Sequence, residues 1–228
     1  RTGHDRNDGS AGRQTERVSR DPGVPEHLVA WPAGVPHSGG VPEGRDSVRV
    51  LDDQIAAPFS LARVVDELRR DQPEAVVAAV YPSPHADGRT EDWIELSRIA
   101  AGGDEGDARR VFTGDTTPTS LRALRTWVGA HAPTTARSLD DLILATSELA
   151  TNVERHARGW VTVDLVDVGG RVLVAVTDPA TDSFPQPRAV ESDQISGRGL
   201  MVVAAVSSAW GVVARPGSKT VWAVLPNQ

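Results

Sequence analysis

Apolar residues recur with a helical period in four stretches of the chain. The clearest stretch follows Ser138, whose side chain can cap a helix, and it has Asp140 and Asp141 in the positive first turn. Its apolar seam falls at alternating spacings of three and four residues, which is typical of a helix packed on a core. The four predicted helices span about residues 58–70, 118–132, 138–156 and 199–207.

Short apolar runs with strand-like character predict a sheet. Gly169 and Gly170 join two of these runs, and a Gly-Gly connection predicts a hairpin because both residues can adopt positive φ. From residue 119 the predicted order is ααββαββ, so we expect a two-layer α/β sandwich with helices on one face of a mixed sheet. The predicted strands span residues 75–81, 92–97, 160–168, 171–178, 210–215 and 219–225.

Composition divides the 228-residue chain into three parts. Residues 1–45 are rich in Gly and Pro and have almost no periodic apolar residues, so we predict a disordered tail. Residues 46–110 carry 8 basic and 14 acidic side chains and are predicted to form a small acidic α/β domain of unknown role. Residues 111–228 contain the predicted sandwich, and a loop of glycines and acids at 102–106 marks the boundary.

The composition also excludes several classes of function. The chain has no cysteine, which excludes disulfides and thiolate nucleophiles and suits a reducing cytoplasm. No apolar run approaches the roughly 20 residues that cross a bilayer, so we expect a cytoplasmic protein with no membrane association. The acidic middle segment repels a phosphate backbone, which argues against direct nucleic-acid binding. Its charge either attracts a basic protein partner or only maintains solubility.

Candidate chemistry lies along the helix at 138–156 and in two segments after it. Glu148, Asn152 and His156 share one helical stripe, a pattern that also fits the solvated border of an amphipathic helix. Asp178 ends an apolar strand at a proline-broken loop, a usual place for a carboxylate that faces a ligand. Residues 196–200, Ser-Gly-Arg-Gly-Leu, begin a helix whose free N–H groups can attract phosphate.

Four motifs in this order resemble the nucleotide-binding fold shared by histidine kinases, DNA gyrase and Hsp90. The combination is most similar to the anti-sigma-factor serine kinases that regulate bacterial sporulation and stress sigma factors, over about residues 111–225. The resemblance implies a histidine-kinase-like ATPase fold that binds ATP and Mg²⁺. The motifs are Ser-Glu-Leu-Ala-Thr-Asn-Val-Glu-Arg-His at 147–156, Val-Thr-Asp-Pro at 176–179, Ser-Gly-Arg-Gly-Leu at 196–200 and Lys-Thr-Val-Trp-Ala-Val at 219–224.

The resemblance also implies a role for each matched residue. It makes Asn152 the Mg²⁺ ligand that bridges the ATP phosphates, and Asp178 the acceptor for the adenine amino group. Glu148 becomes the catalytic base that orients a partner's serine hydroxyl. These roles suit phosphoryl transfer, which needs positioning and charge neutralisation, and Mg²⁺, which prefers oxygen ligands. The implied nucleotide-binding residues are Asn152, His156, Asp178, Gly197, Arg198, Gly199, Leu200 and Thr220.

Three residues depart from the pattern of the active kinases. Ala180 and Asp182 stand where glycines normally follow the adenine aspartate, and Ile195 stands where active members carry an arginine. Two functions therefore remain open, ahead of a histidine kinase catalytic fragment, for which the sequence before residue 118 shows no His-Glu dimerisation helix. The first is an ATP-binding regulator that binds a sigma factor or related regulator and phosphorylates an antagonist, such as an anti-anti-sigma factor, on serine. The second is a catalytically silent, nucleotide-sensing interaction module. Dimerisation is common in the resembled branch, so a homodimer is compatible with either function.

Overall fold

In the part of the chain that the structure describes, eight strands form one sheet, which is antiparallel rather than mixed as predicted, in the order β2-β1-β3-β7-β8-β6-β5-β4. The computed structural model describes residues 25–32, 49–51, 59–83, 86, 88–102, 109–133, 138–157, 159–181, 183–185 and 198–226. The strands are β1 (His27–Pro32), β2 (Arg49–Val50), β3 (Ala75–Pro82), β4 (Arg110–Asp115), β5 (Trp160–Val168), β6 (Arg171–Asp178), β7 (Ala209–Arg215) and β8 (Ser218–Leu225).

The described residues include five helices that pack on this sheet, and side-chain caps fix where three of them begin. They are α1 (Leu61–Asp71), α2 (Thr90–Ala100), α3 (Pro118–His131), α4 (Leu139–His156) and α5 (Gly199–Val206). The Ser138 side chain accepts a hydrogen bond from the Asp141 N–H, as predicted for α4, and Thr117 caps α3 in the same way. Because Ser60 caps α1, that helix begins at Leu61 rather than near residue 58.

Two hydrophobic layers cover opposite faces of the sheet. The larger layer packs α1, α3, α4 and α5 against one face, as the predicted sandwich requires. The smaller layer lies on the other face, where α2 packs against β3, β6, β7 and β8. The helices predicted from residue 119 onward, α3, α4 and α5, share one face of the sheet as expected, and α1 lies on the same face.

Residues 92–97 belong to α2 and do not form the predicted strand. The Asp92 carboxylate accepts a hydrogen bond from the Arg89 N–H at 2.8 Å, which closes the first helical turn. In this short segment Ile94 and Leu96 fit a period of two, and Trp93, Ile94 and Leu96 also fit one face of a helix. The segment forms a helix because a helix buries these apolar side chains on one face. The buried residues of α2 on this face are Trp93, Ile94, Leu96, Ser97 and Ala100.

Residues 27–32 form β1, which corrects the prediction of disorder for this part of residues 1–45. β1 pairs with β3 along its full length, and Leu28 and Val29 are fully buried in the two opposite layers. The rest of the predicted tail, at 1–24 and 33–45, lies outside the described residues. Since β3 also pairs with β7, the sheet continues across the boundary predicted near residue 110.

The C-terminal hairpins agree with the sequence. Gly169 and Gly170 connect β5 to β6 at φ values of 57° and 82°, the backbone conformation for which the prediction needed glycine. β7 and β8 form a second antiparallel hairpin. β4, which no apolar run predicted, pairs with β5 at the edge of the sheet. None of the described helices combines the length and the apolar character needed to cross a membrane.

Candidate functional site

The first residue of α5 lies against the polar stripe of α4. A Cβ built on Gly199 would be 2.7 Å from Glu148 Oε2 and 3.5 Å from Asn152 Oδ1, so α5 approaches this closely because residue 199 has no side chain. Glu148 and Asn152 are half-buried, and among the described residues neither side chain has a hydrogen bond or ion pair. The two helices thus bring three of the predicted site residues together, Gly199 on α5 and Glu148 and Asn152 on α4.

The N-terminus of α5 supplies backbone donors beside this stripe. Arg198 occupies the cap position with no side-chain cap bond, and the first intrahelical hydrogen bond runs from the Val202 N–H to the Arg198 carbonyl at 3.0 Å. The N–H groups of the first turn therefore have no intrahelical acceptor, which is the arrangement that attracts phosphate. Arg198 itself is exposed. The predicted Gly197 lies outside the described residues, as do Asp182 and Ile195.

Asp178 ends β6 with a buried carboxylate whose two oxygens differ. Oδ1 accepts hydrogen bonds from Lys219 Nζ at 2.7 Å and from the Ala180 N–H at 2.8 Å. Oδ2 is also buried, yet it has no partner among the described residues. Because an unpaired buried acceptor costs roughly 1–3 kcal/mol, such an atom is usually completed by a ligand or water. Asp178 therefore presents one unused acceptor, as the predicted adenine contact requires.

Lys219 is a candidate site residue that the sequence did not reveal, and Thr220 points to the opposite face of the sheet. Asp178 is directly opposite Lys219 in the β6–β8 ladder, so both side chains point to the face that carries α4 and α5. Thr220 points to the other face, where its hydroxyl shares a 2.8 Å hydrogen bond with Thr177. Because successive strand residues alternate between faces, Thr220 cannot lie beneath a nucleotide bound beside Asp178.

Two further predicted site residues, His156 and Leu200, lie at the end of α4 and near the start of α5. His156 is the last residue of α4 and is exposed, and among the described residues its ring has no hydrogen bond or ion pair with the other predicted site residues. Leu200 is buried in the larger hydrophobic layer, where it helps to anchor the start of α5. Leu200 thus positions the helix N-terminus through packing.

Thr220 instead belongs to a polar cluster behind the sheet, formed by Arg109, Asp164, Thr177, Arg215 and Thr220. Arg215 donates to Thr220 Oγ1 at 3.1 Å and to the Ala101 carbonyl, and Arg109 pairs with Asp164 at 3.2 Å. Burial raises the pKa of Asp164, against the opposing effect of Arg109, and burial lowers the pKa of Arg215. These contacts tie the end of α2 to the strands that carry Asp178 and Lys219.

Comparison with known proteins identifies the class of domain that holds this site. Residues 114–225 match the family model of the histidine kinase-like ATPase domain, and this part of the chain is such a domain. The predicted fold class is thereby confirmed.

One solved structure similar to this chain contains the RsbU and RsbW domains of Rv1364c from Mycobacterium tuberculosis. The two are 15% identical with a TM-score of 0.38, and the alignment covers 89% of this chain and 64% of that one. The present chain therefore spans about 64% of the length of that relative. No curated protein matches the sequence.

Proposed function

We propose that this chain is an ATP-binding regulatory protein of the anti-sigma-factor kinase type. It binds a sigma factor or related regulator and phosphorylates an antagonist protein on serine, in the cytoplasm and without contacting nucleic acid or membrane. The observation that carries the proposal is the approach of Gly199 to Glu148 and Asn152, with the phosphate-attracting end of α5 at the same point. A homodimer is compatible with this function and forms part of the proposal.

The residues present suit a nucleotide. The unpaired Asp178 Oδ2 is an acceptor for the amino group of adenine, and the first turn of α5 offers N–H groups for the phosphates. The space beside Gly199, which a Cβ would fill, lies between this turn and the α4 stripe. Base and phosphate would thus be held by residues of β6 and α5, with α4 beside the phosphates.

Asn152 suits Mg²⁺ as a single protein ligand. Among the described residues no group of three or more histidines and acids could hold a metal ion, so a dedicated metal cage is absent from this part of the chain. Mg²⁺ commonly keeps waters and binds through one or two protein oxygens together with substrate phosphates. An amide oxygen on α4 beside the start of α5 meets that requirement, and the bound ion would supply charge neutralisation.

Glu148 suits the role of the base. Its carboxylate has no partner among the described residues and lies one helical turn from Asn152. In the proposed reaction the serine oxygen of the partner bonds to the γ-phosphorus, the bond to the β-phosphate oxygen breaks, and ADP leaves. Glu148 accepts the proton that the serine hydroxyl loses.

Two substitutions test this assignment of roles. Glu148→Ala should leave MgATP affinity nearly intact and reduce phosphate transfer by about 10²- to 10⁴-fold, the range for the loss of a general base. Asn152→Ala should weaken MgATP binding itself, because it removes the metal ligand. Calorimetry measures affinity, and radiolabelled ATP with candidate protein partners measures transfer. Transfer that is unchanged in Glu148→Ala would remove Glu148 from the mechanism.

ATP binding has its own test, which needs no partner. A ligand that binds only the native state stabilises it by mass action, by about 2.7 kcal/mol at a hundredfold excess over Kd. Thermal unfolding with millimolar MgATP should therefore shift to higher temperature, and the shift should shrink in Asn152→Ala. A melting curve that MgATP leaves in place would contradict the proposal.

The burial of Asp178 favours a second candidate, a catalytically silent module that senses nucleotide. The Asp178 side chain is only 1% exposed, and Ala180 and Phe184, which follow β6, pack against the same core. In this candidate the segment after β6 moves when adenine reaches Oδ2, so nucleotide binding would change the surface that a partner meets. This candidate predicts MgATP stabilisation with no transfer by wild type or Glu148→Ala to any partner.

A further inference from the structure

Lys219 is buried beside Asp178, the carboxylate that binds adenine in the proposed function. Its side chain is 5% exposed, and its position opposite Asp178 in the ladder fixes both groups on the face that carries α4 and α5. Replacing a buried ion pair with well-packed apolar residues is often neutral or stabilising. Stability alone therefore does not account for a lysine at this position. The N–H groups of its ammonium must serve another purpose.

A count of hydrogen bonds shows what this pair leaves unused. The Lys219 ammonium has three N–H groups, and the described residues give it two acceptors, Asp178 Oδ1 at 2.7 Å and the Ala180 carbonyl at 3.2 Å. One N–H group thus remains. Asp178 Oδ2 likewise has no partner in the described part of the chain. One donor and one acceptor, held together by the ion pair, are available at the same place.

The edge of adenine offers the complementary groups, because its N6 amino group donates and its neighbouring N1 accepts. Resting on the proposed ATP function, we propose that Lys219 determines nucleobase specificity by donating its remaining N–H to N1 while Asp178 Oδ2 accepts from N6. Lys219 binds Asp178 through Oδ1, which leaves Oδ2 available to the N6 amino group of adenine. The pair thereby recognises a 6-aminopurine through two adjacent hydrogen bonds.

Nucleotide analogues separate this role from a merely structural one. The analogue 1-deaza-ATP lacks the N1 acceptor and keeps N6, whereas 7-deaza-ATP keeps the whole N1–N6 edge and is the control ligand. The readout is the ratio of the calorimetric Kd of each analogue to that of ATP, measured with Mg²⁺ on the full chain. Because each variant is its own reference, general damage to the site cancels from the ratio.

In the wild type the 1-deaza-ATP ratio should be roughly 10 to 100, the range for a hydrogen bond to a charged group, and the 7-deaza-ATP ratio should stay near one. Lys219→Met keeps the length of the side chain and removes the donor, so its 1-deaza-ATP ratio should fall to about one. Lys219→Gln retains a neutral donor and should give a ratio between these two. Lys219→Gln is therefore the conservative variant that should restore part of the N1 recognition. It also decides the test if Lys219→Met fails to fold.

Each contrary result has a definite meaning. A wild-type ratio near one overturns the proposed contact with N1, whatever the variants do. A large ratio that Lys219→Met and Lys219→Gln leave unchanged assigns the recognition of N1 to another group and also overturns it. In both cases ATP still binds, so the proposed function survives. Failure of the wild type to bind ATP overturns the proposed function and the role of Lys219 together.

Discussion

Asp115 shows how one exposed carboxylate sets the start of a helix. It ends β4, and its Oδ1 accepts hydrogen bonds from the Thr117 hydroxyl at 2.6 Å and the Thr117 N–H at 3.0 Å. A further side-chain hydrogen bond from Ser120 is the largest of the effects that lower the pKa of Asp115 to about 2. These bonds favour the charged form, so Asp115 contributes to the connection between the edge strand and α3 while it is ionised.

The resulting pH dependence is our first prediction at the residue scale. Because the pKa is lower in the folded state than in the unfolded state, the contribution is present above about pH 4 and is lost as the pH falls toward 2. Asp115→Asn should thus be less stable than wild type at pH 6, and the difference should shrink at pH 2. Urea unfolding at both pH values measures it. A difference that stays equal would mean that ionisation of Asp115 does not stabilise the fold.

Some candidate site residues could be predicted from the sequence, and others could not. Glu148, Asn152 and Asp178 could be chosen as candidates because helical spacing and the end of a strand are both visible in the sequence. The choice between Lys219 and Thr220 depends on which face of β8 each occupies, and β8 is apolar on both faces. β6 and β8 are neighbours in the sheet without being joined by a turn, so no local signal sets their register.

At the scale of elements, the close approach of α5 to α4 depends on a glycine that can be tested. A Cβ at Gly199 would meet the flexible end of the Glu148 side chain, which can move at little cost, and would touch Asn152. Gly199→Ala should therefore leave the free energy of unfolding within about 1 kcal/mol of wild type, given the better helix propensity of Ala. It should weaken MgATP binding by roughly tenfold, an amount typical of one lost hydrogen bond.

Gly129 provides the matched control for this substitution. It lies inside α3, it is exposed, and a Cβ built there meets no atom within 4 Å. Gly129→Ala should raise the free energy of unfolding by about 0.5–1 kcal/mol and leave MgATP affinity unchanged. Urea unfolding and calorimetry on both variants make the comparison. Equal affinities in the two variants would show that the space beside Gly199 is not part of the nucleotide site.

Elements with their own capping signals could be predicted, and elements that depend on distant partners could not. α4 follows from Ser138 and a long apolar seam, and the β5–β6 hairpin follows from its two glycines. β4 alternates between half-buried and exposed residues, so its apolar signal is weak and its pairing with β5 defines it. In α2 the segment around Trp93 is too short for the apolar period to separate helix from strand.

At the scale of the whole molecule, the sheet joins parts of the chain that composition separates. The Gly- and Pro-rich start and the acidic middle segment each differ from the C-terminal domain in composition, yet β1 and β3 extend the sheet from β7. Pairing between strands that are far apart in the sequence, such as β3 and β7, cannot be predicted from local composition. The position of α2 has the same origin, since the extended sheet and the strands of the ATPase domain together form the back face that α2 covers.

Removal of residues 1–45 tests this continuity. Such a truncation deletes β1, exposes the edge of β3 and removes Leu28 and Val29, each 0% exposed. Each buried side chain contributes about 1.5–3 kcal/mol, so their loss alone is a large part of the 5–15 kcal/mol typical of a domain. The truncated chain should unfold at clearly lower urea concentration, whereas a chain beginning at Pro25 keeps β1 and should unfold close to wild type. Coincident unfolding curves for all three chains would show that β1 contributes nothing to the stability of the sheet.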